Sequence, residues 1–155
     1  MTMAPHPKVY LDTDVILDFV LRREPFFVHA AKVFQAGMER KIILMASAGS
    51  LKDVFYFARK PLGPEKAGSE KRGREAIRVL LQVVEVCALE KSMWDEALAS
   101  SMKDTEDALQ VACAARNQAD FLVTRNVKHY HGASYPQVIL PNVLLAILDA
   151  HEWNP

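Results

Sequence analysis

Cysteine is scarce: Cys87 and Cys113 are the only two in 155 residues, each in an apolar stretch (VEVCAL and QVACAA). That excludes a disulfide framework and predicts two buried free thiols in a reducing compartment. Long apolar runs are missing, because charge interrupts each one, and residues 1–7 have no apolar core of a secretion signal. The expected location is therefore the cytoplasm. Net charge is missing as well: 19 Lys and Arg balance 19 Asp and Glu. A globally basic nucleic-acid binder is excluded. Internal repeats and low-complexity tracts are absent too.

What is present is half apolar and a quarter charged, which predicts one soluble globular domain over residues 1–155 with a short tail at 1–7. The zero net charge conceals two segments of opposite sign. Residues 59–78 carry Arg59, Lys60, Lys66, Lys71, Arg72, Arg74 and Arg78 against Glu65, Glu70 and Glu75. Residues 90–107 carry Glu90, Asp95, Glu96, Asp104, Glu106 and Asp107 against Lys91 and Lys103. A local phosphate-attracting strip beside an acidic pocket fits that pattern as well as a solvated helix face does.

Apolar spacing gives the elements. Residues 8–11 (KVYL) read as a strand that stops at Asp12 and enters a helix over 14–21 through Asp-Thr-Asp, residues that cap helix starts. Helical period returns over 26–39, with Phe27, Ala30, Ala31, Phe34 and Met38 inward. A buried strand is predicted over 41–46 and a helix over 47–59. Two prolines and three glycines mark residues 61–73 as a long loop or flexible helix start. Helices follow over 74–85, 93–101 and 104–117, with a short extended piece at 86–89 and strands at 120–124 and 137–140. A last helix over 141–150 opens on Pro141. Short apolar strands alternating with helices predict an α/β sandwich around a mainly parallel sheet. In such sheets ligands gather outside the carboxyl ends of the strands, which selects Asp12 and residues 124–126.

Asp12 ends an apolar strand, where a carboxylate is costly unless solvated, hydrogen-bonded, paired or metal-bound. Asp104 and Asp107, three apart at a helix start, share one face; they fit a cap plus a first-turn acid as readily as a ligand pair. Asp53 fits an ordinary helix position and Asn126 an ordinary turn residue. Together, hard oxygen donors at strand ends suit Mg²⁺ or Mn²⁺. Zinc is disfavoured, since His129 and His131 have no cysteine or third histidine at useful spacing.

The segments KVYLDTDVILD (8–18), KDTEDALQVACA (103–114) and ADFLVTRNVKHY (119–130) resemble, in order and spacing, the three signature regions of PIN domains. The similarity reaches from Lys8 to about Ala150 and is greatest to small stand-alone bacterial proteins of the VapC-like toxin kind. The resemblance implies a three-layer α/β/α fold with about five strands. It also implies a Mg²⁺- or Mn²⁺-dependent endoribonuclease that leaves a 5′-phosphate and a 3′-hydroxyl. Asp12 matches the first-strand acid and Asp107 the acid before the Ala-Leu run, with Asp104 an additional acid at that helix start. Asp53 matches a customary glutamate in the third helix. Thr124 and Asn126 match the hydroxyl and Asp/Asn positions after the fourth strand, and His129 stands where an aspartate is common. The resemblance implies Asp12, Asp104 and Asp107 as metal ligands, helped by Asp53, with Asp14, Thr124 and Asn126 supporting them. Arg59, Lys60, Arg72 and Arg74, with Arg22 and Arg23, are the candidates for the RNA backbone. A homodimer and a cognate antitoxin are the implied protein partners, with Phe55, Tyr56, Phe57 and Trp94 as contact candidates unless they are core, the expectation for Phe55 and Trp94.

Two competing expectations remain. One is a degenerate PIN domain that binds RNA or protein without cleaving. The other is a phosphatase of the haloacid-dehalogenase type, whose opening Asp12-Thr13-Asp14 resembles. That second pattern wants a Thr or Ser where Ile16 stands, and an acidic pair after a strand.

Overall fold

The computed structural model describes residues 6–64 and 67–150. Residues 1–5 of the tail, and Glu65 and Lys66 of the basic segment, lie outside them. Five strands, β1 (Lys8–Leu11), β2 (Ile43–Ser47), β3 (Val84–Cys87), β4 (Phe121–Val123) and β5 (Gln137–Ile139), form one sheet. Its order is β3-β2-β1-β4-β5, and every neighbouring pair is parallel.

Side-chain alternation along the strands assigns the two faces. Val9 and Leu11 of β1, Leu44 and Ala46 of β2, and Phe121 and Val123 of β4 belong to one core. That core is covered by α1 (Thr13–Val20), α2 (Phe27–Met38), α3 (Ala48–Ala58), α4 (Glu70–Val83) and α7 (Pro141–Asp149). The intervening Tyr10, Met45 and Leu122 belong to a second core under α5 (Lys91–Ala99) and α6 (Thr105–Arg116). The result is the three-layer α/β/α sandwich expected. Both cysteines are buried and free.

From β1 the chain moves to β2 and β3 on one side, then returns to lay β4 and β5 on the other. The order therefore reverses between β1 and β4, and a crevice opens at their carboxyl ends. Asp120 pins the opposite end, its carboxylate accepting from the Lys8 amide at 2.7 Å while its own amide donates to the Lys8 carbonyl at 2.8 Å.

Several expectations need correction. Of the two readings of residues 61–73, the helix start holds for 70–73, because Ser69 caps α4 by accepting from the Arg72 amide at 3.2 Å. Strand β3 starts two residues early, at Val84, directly from the last residue of α4. Pairing with β2, which sets Leu44 against Val84 and Ser47 against Cys87, overrides the local apolar pattern there. Met38, expected inward, is exposed. Trp94, expected in the core, is 44% exposed, because α5 turns Met93 and Ala97 inward instead. Three helices end in left-handed residues that are not glycine: Arg22, Arg40 and Gln118. Each is followed by an amide that reaches back to close the turn, as from Arg23 to the Asp18 carbonyl at 3.0 Å.

Gly73 lies where α4 crosses α3. A Cβ there would sit 2.9 Å from the Phe55 ring and 3.3 Å from Arg59 Cβ. Gly73→Ala gains about 1 kcal/mol of helix propensity, but the ring is held between two helices and overpacking costs about 1–3 kcal/mol. We expect a net loss of stability, read as a lower urea midpoint with an unchanged slope.

Candidate active site

Asp12 is fixed by the meeting of β1 and β4. Its amide donates to the Val123 carbonyl at 3.0 Å and its carbonyl accepts from Val15 at 3.1 Å, so the residue ends the strand and begins α1. Its carboxylate makes no cap hydrogen bond. It accepts instead from the Thr124 hydroxyl at 2.7 Å, across 112 residues of sequence. Asp12 is 7% exposed. Burial raises its pKa above the usual carboxylate value; the Thr124 hydrogen bond opposes that and the charge of Asp14 adds to it.

Asp107 enters from α6, on the other layer. One carboxylate oxygen is buried without a hydrogen-bond partner, and so is the hydroxyl of Tyr130. Burial first, then the charges of Asp104 and Asp12, push the Asp107 carboxyl up to about 6. His129, whose Nδ1 lies 3.7 Å from that carboxylate, opposes the shift. The Tyr130 phenol is raised by burial and by both carboxylates, Asp12 before Asp107. Two desolvated acids and a buried phenol thus share one small region. Asp104 is differently employed: it is exposed, and its Oδ1 caps α6 by accepting from the Asp107 amide at 3.0 Å. Asp53 is exposed on α3.

Asp104 and Asp12 both act on Asp107 through their charge, Asp104 the more strongly. Among the described residues no three His, Cys, Asp or Glu side chains lie close enough together to hold a metal ion. What the fold brings together is the pair Asp12 and Asp107. Their donor chemistry still fits Mg²⁺, which binds through one or two carboxylates and keeps several waters. The unpartnered Asp107 oxygen is the atom such an ion would satisfy.

Asn126 donates from its backbone to Thr124 Oγ1 at 3.0 Å and from its side chain to Asp14 at 3.4 Å, steadying the loop rather than touching Asp12. Asp14 is also 3.8 Å from Arg23. Between Thr124 and Asn126, Arg125 places Nε 2.6 Å from Asp18, which is 1% exposed, without the alignment of a hydrogen bond. Its guanidinium lies 4.0 Å from the ring centroid of Phe26.

Sequence reasoning missed a polar cluster under the site. The Gln110 amide donates to Thr13 Oγ1 at 3.1 Å and Ser50 Oγ at 3.3 Å, and its oxygen accepts from the Tyr10 hydroxyl. Thr13 and Ser50 meet at 2.8 Å, and Ser47 donates to Ser50 at 3.1 Å. The available signal was spacing: Gln110 lies three residues after Asp107, on the same helix face. Of the basic candidates, Arg59 and Arg74 each lie 3.8 Å from Glu70. Arg72 donates to the Lys60 carbonyl at 2.8 Å and so clamps a loop.

Two outcomes follow for variants. Between about pH 4, where an unfolded aspartate titrates, and about pH 6, folded Asp107 keeps a proton that the unfolded chain has released. Without divalent ions, stability therefore falls as pH rises through that window. Relative to wild type, Asp107→Asn should gain up to about 3 kcal/mol between about pH 4 and pH 7 in urea unfolding; a gap independent of pH overturns this. Arg125→Ala strands the buried Asp18 charge and should cost about 3–5 kcal/mol, whereas Asp18→Leu combined with Arg125→Leu should recover most of that loss.

A model of the PIN domain matches residues 8–128 of the chain. Solved structures of similar fold include VapBC bound to DNA from Salmonella typhimurium, with a TM-score of 0.63 at 15% identity, covering 87% of this chain and 98% of that one. A toxin–antitoxin complex from Klebsiella pneumoniae gives 0.61 at 19% identity, covering 86% and 97%. A VapC toxin of Mycobacterium tuberculosis that cleaves the sarcin–ricin loop gives 0.57 at 14%, covering 74% and 86%. No curated protein sequence matches. With well over half its length matched and a fold shared with these toxins, the chain belongs to the PIN-domain family.

Proposed function

We propose that this chain is a divalent-metal-dependent endoribonuclease and the toxin of a toxin–antitoxin pair. The observation that carries this is the desolvated pair Asp12 and Asp107 at the switch point of the sheet, one of them with a buried, unpartnered oxygen. Two acids raised by burial and by neighbouring carboxylates, Asp14 beside Asp12 and Asp104 with Asp12 beside Asp107, are a standing electrostatic cost, which a hard cation removes. Mg²⁺ or Mn²⁺ bound there would polarise an RNA phosphate, lower the pKa of a water and stabilise the departing oxygen.

The chain's own groups do the positioning. Thr124 fixes which lone pairs of Asp12 face the crevice, since its hydroxyl already occupies Oδ2. Tyr130 is buried beside both carboxylates, so its phenol is the neutral polar group within reach of each. Asp104, at the exposed rim, adds negative charge beside Asp107 without competing for the same space. Asp53, one turn beyond Ser50 on α3, is an outer acid that would act through water.

A protein antitoxin and a second copy of the chain are the proposed partners. A groove of about 470 Å³ between α1, α2 and α4, lined by Phe19, Phe27, Leu62 and Val79 and edged by Arg22 and Glu75, is an apolar seat of the kind a partner helix fills. The family assignment favours nuclease over phosphatase. Ile16 is buried in the core, where the phosphatase pattern needs a hydroxyl near the nucleophile.

The test is cleavage of single-stranded RNA with Mg²⁺ or Mn²⁺, with and without EDTA. Asp12→Asn and Asp107→Asn should each lose about 100-fold or more in rate, the scale of a single electrostatic contributor. Asp104→Asn should lose less. Equal cleavage by all of them, or cleavage unaffected by EDTA, overturns the assignment. Calorimetric titration showing no Mg²⁺ or Mn²⁺ binding at the pair would favour a non-catalytic binding module.

A further inference from the structure

Helix α3 begins at the candidate site and leads away from it. Ser50, in its first turn, touches Thr13 and Gln110, the neighbours of Asp12 and Asp107. Seven residues on, Phe57 returns to nearly the same side of the helix, roughly 10 Å further along its axis. There the surface changes character. Phe57 is 39% exposed and Tyr56 is 48% exposed, their rings meeting edge to face at 5.3 Å. The Lys60 ammonium sits over both, 4.3 Å from the Tyr56 centroid and 4.7 Å from that of Phe57. Arg59 lies 5.8 Å from Tyr56 on the same cluster.

Each neighbour of these rings has another task except Lys60. Arg59 faces Glu70, and Arg72 holds the Lys60 carbonyl, so the backbone carrying the lysine is fixed. Among the described residues no carboxylate pairs with the Lys60 ammonium. Beside Tyr56 opens a cleft of about 370 Å³, lined by Arg59, Lys60, Pro61, Ser69 and Glu70, within the range of small-molecule pockets, roughly 300–1,000 Å³. A surface made of two partly exposed rings, a mobile-stemmed ammonium that covers them and a small cleft complements a ligand that is flat, aromatic and anionic at once. A nucleotide with an unpaired base has those properties, because its base stacks while its phosphate meets the cation. A base inside a duplex cannot offer its face.

We propose that Tyr56 and Phe57, with Lys60, form a stacking subsite for an unpaired nucleobase of the RNA. The identity of the ligand rests on the nuclease reading above; the existence of a subsite does not. On binding, Lys60 leaves the ring faces for a phosphate and the base takes its place. Glu70 at the far wall of the cleft disfavours a phosphate there, which orients the strand.

The test is fluorescence anisotropy with a labelled single-stranded RNA, in EDTA so that no cleavage occurs. A duplex of the same sequence and a strand with abasic residues throughout serve as controls. Wild type should prefer the intact single strand to both. Tyr56→Ala and Phe57→Ala should each weaken binding about fivefold or more, as loss of a stacked base does, while leaving abasic binding unchanged. Phe57→Trp should restore binding, which separates stacking from loss of fold. Equal binding of intact and abasic strands by wild type would overturn the subsite in favour of charge alone. So would ring variants that bind as wild type, or that change sedimentation from dimer to monomer with binding altered only through that change. Metal-dependent cleavage lost in Asp12→Asn and Asp107→Asn but kept in the ring variants would leave the nuclease reading standing even then.

Discussion

The bond from Thr124 to Asp12 is where the structure turns from scaffold to chemistry. Strand β1 lies at the centre of the sheet, and β4 returns beside it after both other strands of that half are laid down. That arrangement places a hydroxyl, rather than a backbone cap, against the carboxylate that ends β1. A carboxylate spent on capping its own helix would have little to offer a ligand. Asp104 shows that contrast within the same site, since its side chain does close the start of α6. Two aspartates at two helix starts therefore have opposite uses, and the difference is which donor each one meets.

Holding two acids in a dry crevice costs stability, and the surrounding residues absorb that cost by fixing positions rather than by neutralising charge. Gln110 ties β1, α1 and α3 to α6 through three hydrogen bonds, and Thr13 and Ser50, two of its partners, meet each other as well. Arg125 and Asp18 tie the loop after β4 to α1, with Phe26 beneath the guanidinium. Buried polar networks of this kind are costly when partly satisfied and rigid when complete. The Gln110 cluster is of the complete kind; the unpartnered atoms include Asp107 Oδ2 and Tyr130 Oη at the pair, and Asp18 Oδ1 and Arg125 Nε beside it.

Much of this was legible beforehand because it depends on local pattern. Strand β1 and its end at Asp12, the period of α6, and Pro141 at the start of α7 follow from spacing and turn chemistry alone. Asp12 stands out in the sequence because a carboxylate after an apolar strand is costly without a purpose. Other features are set at long range and left little local trace. The register of β3 is imposed by β2, and Gly73 is accommodated by a ring eighteen positions back. Left-handed helix ends at Arg22, Arg40 and Gln118 carry no glycine to announce them. Whether Asp104 caps or ligates could not be settled from spacing, since both uses ask for an acid three residues before Asp107. Trp94 was misjudged because a helix with one buried side offers no sign of which large residue is left out.

The contacts that assemble the crevice join residues a hundred or more positions apart: Asp12 with Thr124, Asp14 with Asn126, Tyr10 with Gln110. Such pairings carry the largest loop-closure cost and form late. A growing polypeptide that has made only its first half holds β1 and Asp12 but neither Thr124 nor Asp107. The crevice thus comes into being only once α6 and β4 are in place, and a chain that has made only its first half lacks half of the groups that line it.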